Sequence, residues 1–394
     1  MALTNTTTRF GSITKTLHWL TALLILTAIP LGLLATRGDI STDDGIARTA
    51  WLFSLHKTVG VTAFWVALIR ILWAVTQARP AHLHPDRKLE TFAAEAVHWL
   101  LYISLVLVPL SGWFHHAAAT GFAPILWPFG QTLPFIPQSE NLAHLFEGWH
   151  FVLTKVLALS IFLHIAGAIK HHVIDKDATL RRMLPGSSNL SDLPYKNGSK
   201  RPLMAAIVIY LGALGGGTYL GLQHETVETV ALGAVESDWI VESGTLGITV
   251  QQLGSPVEGR FSDWTADIKF DPDTETGAVT VVISTGSLAL GSVSSDAMGP
   301  DYLDAAGFPT ATFEAEISRS GESLIADGVL TIRDVTVPLR LPFTLELADG
   351  VANMTAKTTL NRIDYSVGAT AQPTEGNLGF NVDVSVDLTA RKNQ

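Results

Sequence analysis

His150 and His164 stand fourteen residues apart in an apolar stretch. Fourteen residues turn an α-helix by about 1400°, within roughly 40° of whole turns, so both imidazoles leave one face. At about 1.5 Å per residue they differ in depth by roughly 21 Å. Two other apolar stretches supply partners at matching depth. His18, in TKTLHWL, is level with His164, and His56, in SLHKTVG, is level with His150. Ionisable residues at membrane depth are costly and are therefore functional candidates. A lone histidine near a helix end is more often interfacial than functional, so the case rests on the pairing. Two axial imidazoles per iron hold a b-type haem in a helical bundle and leave no open position for oxygen chemistry. Zinc is the competing reading. It needs three or four ligands at one point, and these four are split by depth.

Arg70 follows His56 by fourteen residues, which puts it on the same face at the level of His18 and His164. Its guanidinium is expected either to pair a haem propionate or to snorkel to the headgroups. His98 opens the third stretch and faces a quinone, a haem edge or nothing. His115 and His116 end that stretch, and His171 and His172 end the fourth. His171 shares the face of His164 and is the runner-up ligand. His82, His84, His144 and His224 read as solvated loop residues.

Five apolar stretches, about 17–36, 52–76, 96–115, 149–170 and 203–222, approach or exceed the roughly 20 residues a bilayer demands. The first lacks a small-residue cleavage site and reads as a retained helix rather than a signal peptide. Pro30 and Pro109 are tolerable because neighbouring helices can cover the freed carbonyls. Segments 1–16, 77–95 and 170–202 hold Arg9, Lys15, Arg79, Arg87, Lys88, Lys170, Lys176, Arg181, Arg182, Lys196, Lys200 and Arg201, whereas 37–51 and 116–148 hold only Arg37 and Arg48. The bias predicts a cytoplasmic N-terminus, with the fifth span exporting all that follows. That span carries Gly212/Gly216 and Gly217/Gly221 four apart, a spacing that suits either close helix packing or a simple tether.

The two halves differ in kind. Residues 1–202 carry 17 Lys+Arg against 11 Asp+Glu, and residues 203–394 carry 9 against 25. The acidic half argues against nucleic-acid binding. With no cysteine, thiolate metal sites, iron–sulfur clusters, disulfides and covalent haem attachment are excluded. No phosphate-binding Gly-rich loop or nucleophile-elbow serine is present.

Residues 9–185 resemble the bacterial cytochrome b561 family in the HW at the start of span 1, LHKTVG in span 2, GWH opening span 4, and the closing HIAGAIKHHVIDKDATLRRMLP. The resemblance implies a four-helix inner-membrane protein with two b haems that exchanges electrons with quinone, as part of a respiratory chain; some members oxidise superoxide at the periplasmic face. Carried over, the ligands fall on His18, His56, His150 and His164. A basic periplasmic funnel would favour superoxide, and here that face has few basic residues.

From about residue 237 the pattern alternates. Phe380, Val382, Val384, Val386 and Leu388 lie on one face of FNVDVSVDL, the period of a half-buried antiparallel strand. Further strands are expected at 239–250, 257–270, 278–288, 310–318, 324–333, 337–347 and 352–361, enough for an antiparallel barrel. Without His or Cys no catalytic constellation is visible here. DWIVESGTLGITV, GRFSDWTADIKFDP, ISTGSLALGS, YLDAAGFPTATFEAEI and GVLTIRDVTVPL resemble the YceI-like polyisoprenoid-binding family. That likeness implies a lipocalin-like barrel around an isoprenoid chain, a quinone tail among the natural ligands. Phe261, Trp264, Ile268, Ile283, Phe313, Leu330 and Ile332 are the expected lining, or else plain core.

The expectation is thus a multidomain membrane protein. A four-helix transmembrane di-haem bundle spans 1–186, a linker and fifth transmembrane helix 187–230, and an antiparallel lipocalin-like β-barrel 231–394. The expected function is quinone-linked electron transfer to an unknown redox partner. An isoprenoid carrier with haem as redox gauge, or a cytochrome subunit of a separate reductase, are the alternatives.

Overall fold

The computed structural model describes the chain except residues 1, 39–41, 79, 82, 85, 120–122, 128–129, 187–198, 224–230, 234, 322 and 394. Arg79, His82, Lys196 and His224 thus lie outside the described residues, as does much of the 187–230 linker. Two compact units result, one of residues 1–37, 52–118 and 124–224, the other of 225–394 with 38–51 and 119–123.

The first unit is built on α1 (Ser12–Ala35), α2 (Asp43–Val75) from Leu52 onward, α3 (Lys88–Ala118), α4 (Glu140–Val173) and α5 (Arg201–Leu222). All five are long and apolar enough to cross a membrane. The helices outrun their apolar windows because polar ends continue the same turn; α4 starts nine residues before residue 149. This corrects the reading of His144 as a loop residue: it lies in the first turns of α4, its Nδ1 3.5 Å from Glu147.

Helices α3, α4 and α5 pack backbone to backbone, while α1 and α2 stand further from their neighbours. Leu100, Val108, Leu153, Leu157, Ala206 and Tyr210 form the core of the tight group. Glycine lets α5 in. A Cβ on Gly217 would stand 2.9 Å from the carbonyl oxygen of Gly148, and one on Gly221 would stand 2.6 Å from that of His144. Gly212 and Gly216, the other spaced pair, face open space. Tyr210 donates its hydroxyl to the Leu100 carbonyl at 2.7 Å and also bonds Ser104, and Trp149 Nε1 donates to Thr218 at 2.9 Å. The fifth helix is a packed member of the bundle, held by contacts that bring small residues together where lipid offers no hydrophobic drive.

The second unit is one curled antiparallel sheet. Its strands are β1 (Trp239–Gln252), β2 (Ser255–Phe261), β3 (Trp264–Asp271), β4 (Thr276–Ser284), β5 (Leu288–Ala289), β6 (Thr310–Ser320), β7 (Ser323–Ile332), β8 (Val335–Ala348), β9 (Val351–Asn361) and β10 (Leu378–Lys392). The order is β3-β4-β6-β7-β8-β9-β10-β1-β2-β5. Along β10 the alternation holds: Asn381, Asp383, Ser385 and Asp387 are exposed and the residues between them are covered. The single strand expected at 257–270 is in fact two strands, β2 and β3, far apart in the strand order. Ser262 and Asp263 leave the ladder between them, their N–H groups donating to the Ser287 carbonyl and to Ser287 Oγ. Alternation alone does not reveal such a break, because the apolar rhythm continues across it.

The sheet curls until edge strand β3 meets the start of β1. Asp238 N–H donates to the Ile268 carbonyl at 3.1 Å, Ile268 N–H to Ser237 Oγ at 2.8 Å, and Trp239 Nε1 to the Phe270 carbonyl at 3.0 Å. An edge that would otherwise offer unpaired groups is thereby covered. Of the proposed lining residues, Trp264, Ile268, Phe313, Leu330 and Ile332 gather in one cluster with Trp239 and Phe270. Phe261 packs in a second cluster with Val257, Leu288 and Leu290, and Ile283 is half-buried opposite Trp264 in the ladder.

Arg362 ties the last loop of this unit. Only 4 % exposed, it donates to the carbonyls of Gly379, Val367, Gln372 and Leu378 at 2.6–3.1 Å. Removing it strands several buried carbonyls, each worth about 1–3 kcal/mol. Arg362→Ala should therefore destabilise this unit by about 3 kcal/mol or more, seen as a lower melting temperature of its β-sheet circular dichroism.

Candidate haem-binding site

The four paired histidines come from three helices at two levels. His18 (α1) and His164 (α4) have ring centres 6.1 Å apart, with ring planes at 59°. His56 (α2) and His150 (α4) have ring centres 6.1 Å apart, with planes at 83°. Two metal–imidazole bonds of about 2 Å, plus about 1 Å from each ring centre to its nitrogen, span about 6 Å. Both gaps therefore fit one iron between two imidazoles. Open space also lies beside Gly60, one turn from His56, and Gly167, three residues from His164, where no neighbouring element comes within 4 Å of a built Cβ. A flat macrocycle can approach the helix backbones there.

At one end both rings are held by the same device. His56 Nδ1 lies 2.8 Å from the Ala28 carbonyl oxygen, and His150 Nδ1 lies 3.0 Å from that of Val108 and 3.2 Å from Ser111 Oγ. An N–H at Nδ1 leaves the Nε2 lone pair for a metal, which is how an outer partner fixes a ligand's tautomer. Room for each ring comes from a glycine one turn beyond the carbonyl. A Cβ on Gly32 would stand 2.9 Å from the His56 ring, and one on Gly112 would stand 3.0 Å from that of His150. Neither glycine was singled out in the sequence, though each stands four residues after the carbonyl that its histidine uses. Near the same end Ile125, Trp127 and Leu133 pack on Val61, Phe64 and Trp113. Beside it Lys57, also unremarked in the sequence, has Nζ 3.3 Å from His116 Nδ1, and His116 Nε2 is 3.0 Å from Gln131. His115 Nδ1 meets the Ala143 carbonyl.

The other end is built differently. Arg70 reaches His18, its Nη2 3.3 Å from Nδ1, with the guanidinium 5.7 Å from the Tyr102 ring centre. A guanidinium only donates, so in this arrangement His18 accepts at Nδ1. His98 joins as a third imidazole, its ring centre 5.1 Å from that of His164. Residues near 183–186 cover this end. Trp19 Nε1 donates to Met183, and Lys15 to Leu184 and Gly186. His171, the runner-up ligand, has Nδ1 2.7 Å from Asp177 Oδ2 and 3.1 Å from Asp175 Oδ2. His84, read as a solvated loop residue, is half-covered and bonded to the same carboxylate at 3.0 Å.

A larger side chain at Gly32 must move the His56 ring. Gly32→Val should lower bound haem per chain and alter its Soret and α bands, while Gly215→Val, facing open space on α5, should leave both unchanged. Absorption spectra of the purified variants check this.

Two family models match the chain. The model described as Prokaryotic cytochrome b561 covers residues 9–186, and that described as YceI-like domain covers residues 239–390. Cytochrome b561 homolog 2 of Escherichia coli (strain K12) is 33% identical over 190 residues, 48% of this chain and 98% of that protein. The Probable superoxide oxidase CybB of Yersinia pestis is 26% identical over 171 residues, 43% of this chain and 92% of that protein. Among solved structures, Burkholderia cenocepacia BcnA is 24% identical with a TM-score of 0.36, over 37% of this chain and 95% of its own. A Campylobacter jejuni YCEI protein is 19% identical with a TM-score of 0.32, over 36% and 87%. The chain therefore belongs to the cytochrome b561 family and carries a YceI-like domain in its C-terminal half.

Proposed function

We propose that this chain passes electrons between membrane quinone and a separate redox partner through two b-type haems, one held by His18 and His164 and one by His56 and His150. The observation that carries the proposal is the pair of 6.1 Å imidazole gaps, reached at opposite ends of α4. Bound haem supplies a one-electron iron couple. His56 and His150 present Nε2, with Nδ1 committed to backbone carbonyls. Arg70 would be the group to pair a propionate; turned that way it would free Nδ1 of His18 to carry the ring proton and leave Nε2 for the iron. Ile125, Trp127 and Trp113 keep water from the His56 level. The contact of Lys57 with His116 supports a role for the pair in exchanging protons with a quinone head group.

The proposed topology has the His18 end cytoplasmic and the barrel periplasmic. Its support is the clustering of Arg9, Lys15, Arg87, Lys88, Arg181, Arg182, Lys200 and Arg201 in segments on the first side. The barrel is proposed to hold an isoprenoid tail, on the inward apolar alternation of its strands and on the family resemblance. Burial of such a tail is worth about 25 cal/mol per Å² against water. Against a bilayer the gain nearly vanishes, so uptake and release run near balance, which suits a shuttle. Superoxide is a second electron donor to test, on the likeness to the Yersinia pestis protein; only Arg37 and Arg48 lie in the connections on that side.

His164→Ala should remove one haem per chain and spare the other, and His56→Ala should remove the opposite one, as counted by pyridine haemochrome assay. Either variant keeping two low-spin haems would overturn the pairing. Residues 231–394 expressed alone should copurify with quinone or another polyprenyl lipid, detected by mass spectrometry. A folded domain that takes up no added quinone would leave the barrel a docking module.

A further inference from the structure

Beyond the paired histidines, three metal-ligating side chains converge where α4 ends. His84, from the α2–α3 connection, directs Nε2 to Asp177 Oδ2 at 3.0 Å, and His171, in the last turn of α4, directs Nδ1 to the same oxygen at 2.7 Å. The two imidazoles lie parallel, 5° apart in plane, with ring centres 6.3 Å apart. All three ligand atoms fall within 4.8 Å of one another. We propose that His84, His171 and Asp177 form a binding site for a divalent transition-metal ion such as zinc, distinct from the paired histidines of the bundle.

The chemistry of the set is that of an open zinc site, two imidazoles and one carboxylate with the fourth position left to water. Bonds of about 2 Å separate tetrahedral ligands by about 3.3 Å. The observed contacts, 2.7 and 3.0 Å, need open by only about 0.3 to 0.6 Å to reach it. Outer support is in place, since Thr179 N–H donates to Asp177 Oδ1 at 2.8 Å and leaves Oδ2 to the imidazoles. Of the nearby cations, Arg182 donates to the Ala81 carbonyl at 2.9 Å while feeling the charge of Asp177, and two others are matched elsewhere. Lys170 pairs Asp175 at 2.8 Å and Glu90 at 2.9 Å, and Arg87 pairs Asp175 at 3.1 Å. That pairing also disfavours a second grouping of Glu90, His171 and Asp175, whose carboxylates are already neutralised. The His84 side chain is 37% exposed, which leaves a path for an ion from solvent. The rival reading is a plain hydrogen-bonded tie, with protons where the metal would be.

The experiment uses the full-length, haem-loaded protein without an affinity tag, stripped with a chelator and titrated with zinc against a fluorescent zinc indicator. One zinc per chain should bind below micromolar concentration. His84→Ala and Asp177→Asn should each weaken binding by about tenfold or more, with haem spectra unchanged as the check on folding. His144→Ala, near the opposite end of α4, should bind as the parent does. Absence of binding at micromolar zinc, or parental affinity in both ligand variants, would overturn the site and leave the tie.

Discussion

The constraint on which the helical unit is arranged is that two pairs of imidazoles stand with ring centres 6.1 Å apart, at two levels along α4. An imidazole taken into an apolar bundle must have its N–H bonded, because an unmet buried donor costs about 1–3 kcal/mol. Helix carbonyls have a second lone pair to give, and His56 and His150 each take one. The imidazole reaches such a carbonyl only where the next turn has no Cβ, hence Gly32 and Gly112. The two helices that bring His18 and His56 stand away from α3 and α4, so the gap is kept by the histidines' reach rather than closed by backbone packing.

The two ends meet that requirement by different means. At the His56 level the rings are held by backbone, which no side-chain motion alters. At the His18 level the holding group is Arg70, a long side chain that can turn, and a third imidazole stands beside His164. An N–H given to a carbonyl makes an imidazole a stronger donor to metal than one left without it. The two imidazole pairs therefore stand in unlike environments, one held by backbone carbonyls and one facing a guanidinium and a further imidazole.

The β unit solves a separate problem, how a ten-stranded sheet hides its edge. Long β1 pairs with β10 along its length and with β2 from Leu246 onward, and the residues at its start reach across to β3. Trp239 seals this seam with its indole N–H while its ring joins the core. The inward face can then be apolar throughout while the outer face carries the acidic charge of the C-terminal half.

Residues alone determined much of this protein. Spacing of fourteen between His150 and His164 is enough to put both on one helix face, and depth matching is enough to name His18 and His56 as partners. Helical period and apolar length are local properties, so five helices were legible, as was the alternation of β10. What tertiary structure decided is everything that depends on approach between distant segments. Gly32 and Gly112 look like any helical glycines until a histidine from another helix is seen to need their space. Gly217/Gly221 and Gly212/Gly216 have the same spacing, and only the position of α4 separates a docking face from an open one. The break between β2 and β3 keeps the apolar rhythm, so only the contact of Ser262 and Asp263 with Ser287 reveals it. His84 and His171, more than eighty residues apart, meet on Asp177 because the chain folds back there, and no local pattern carries that information.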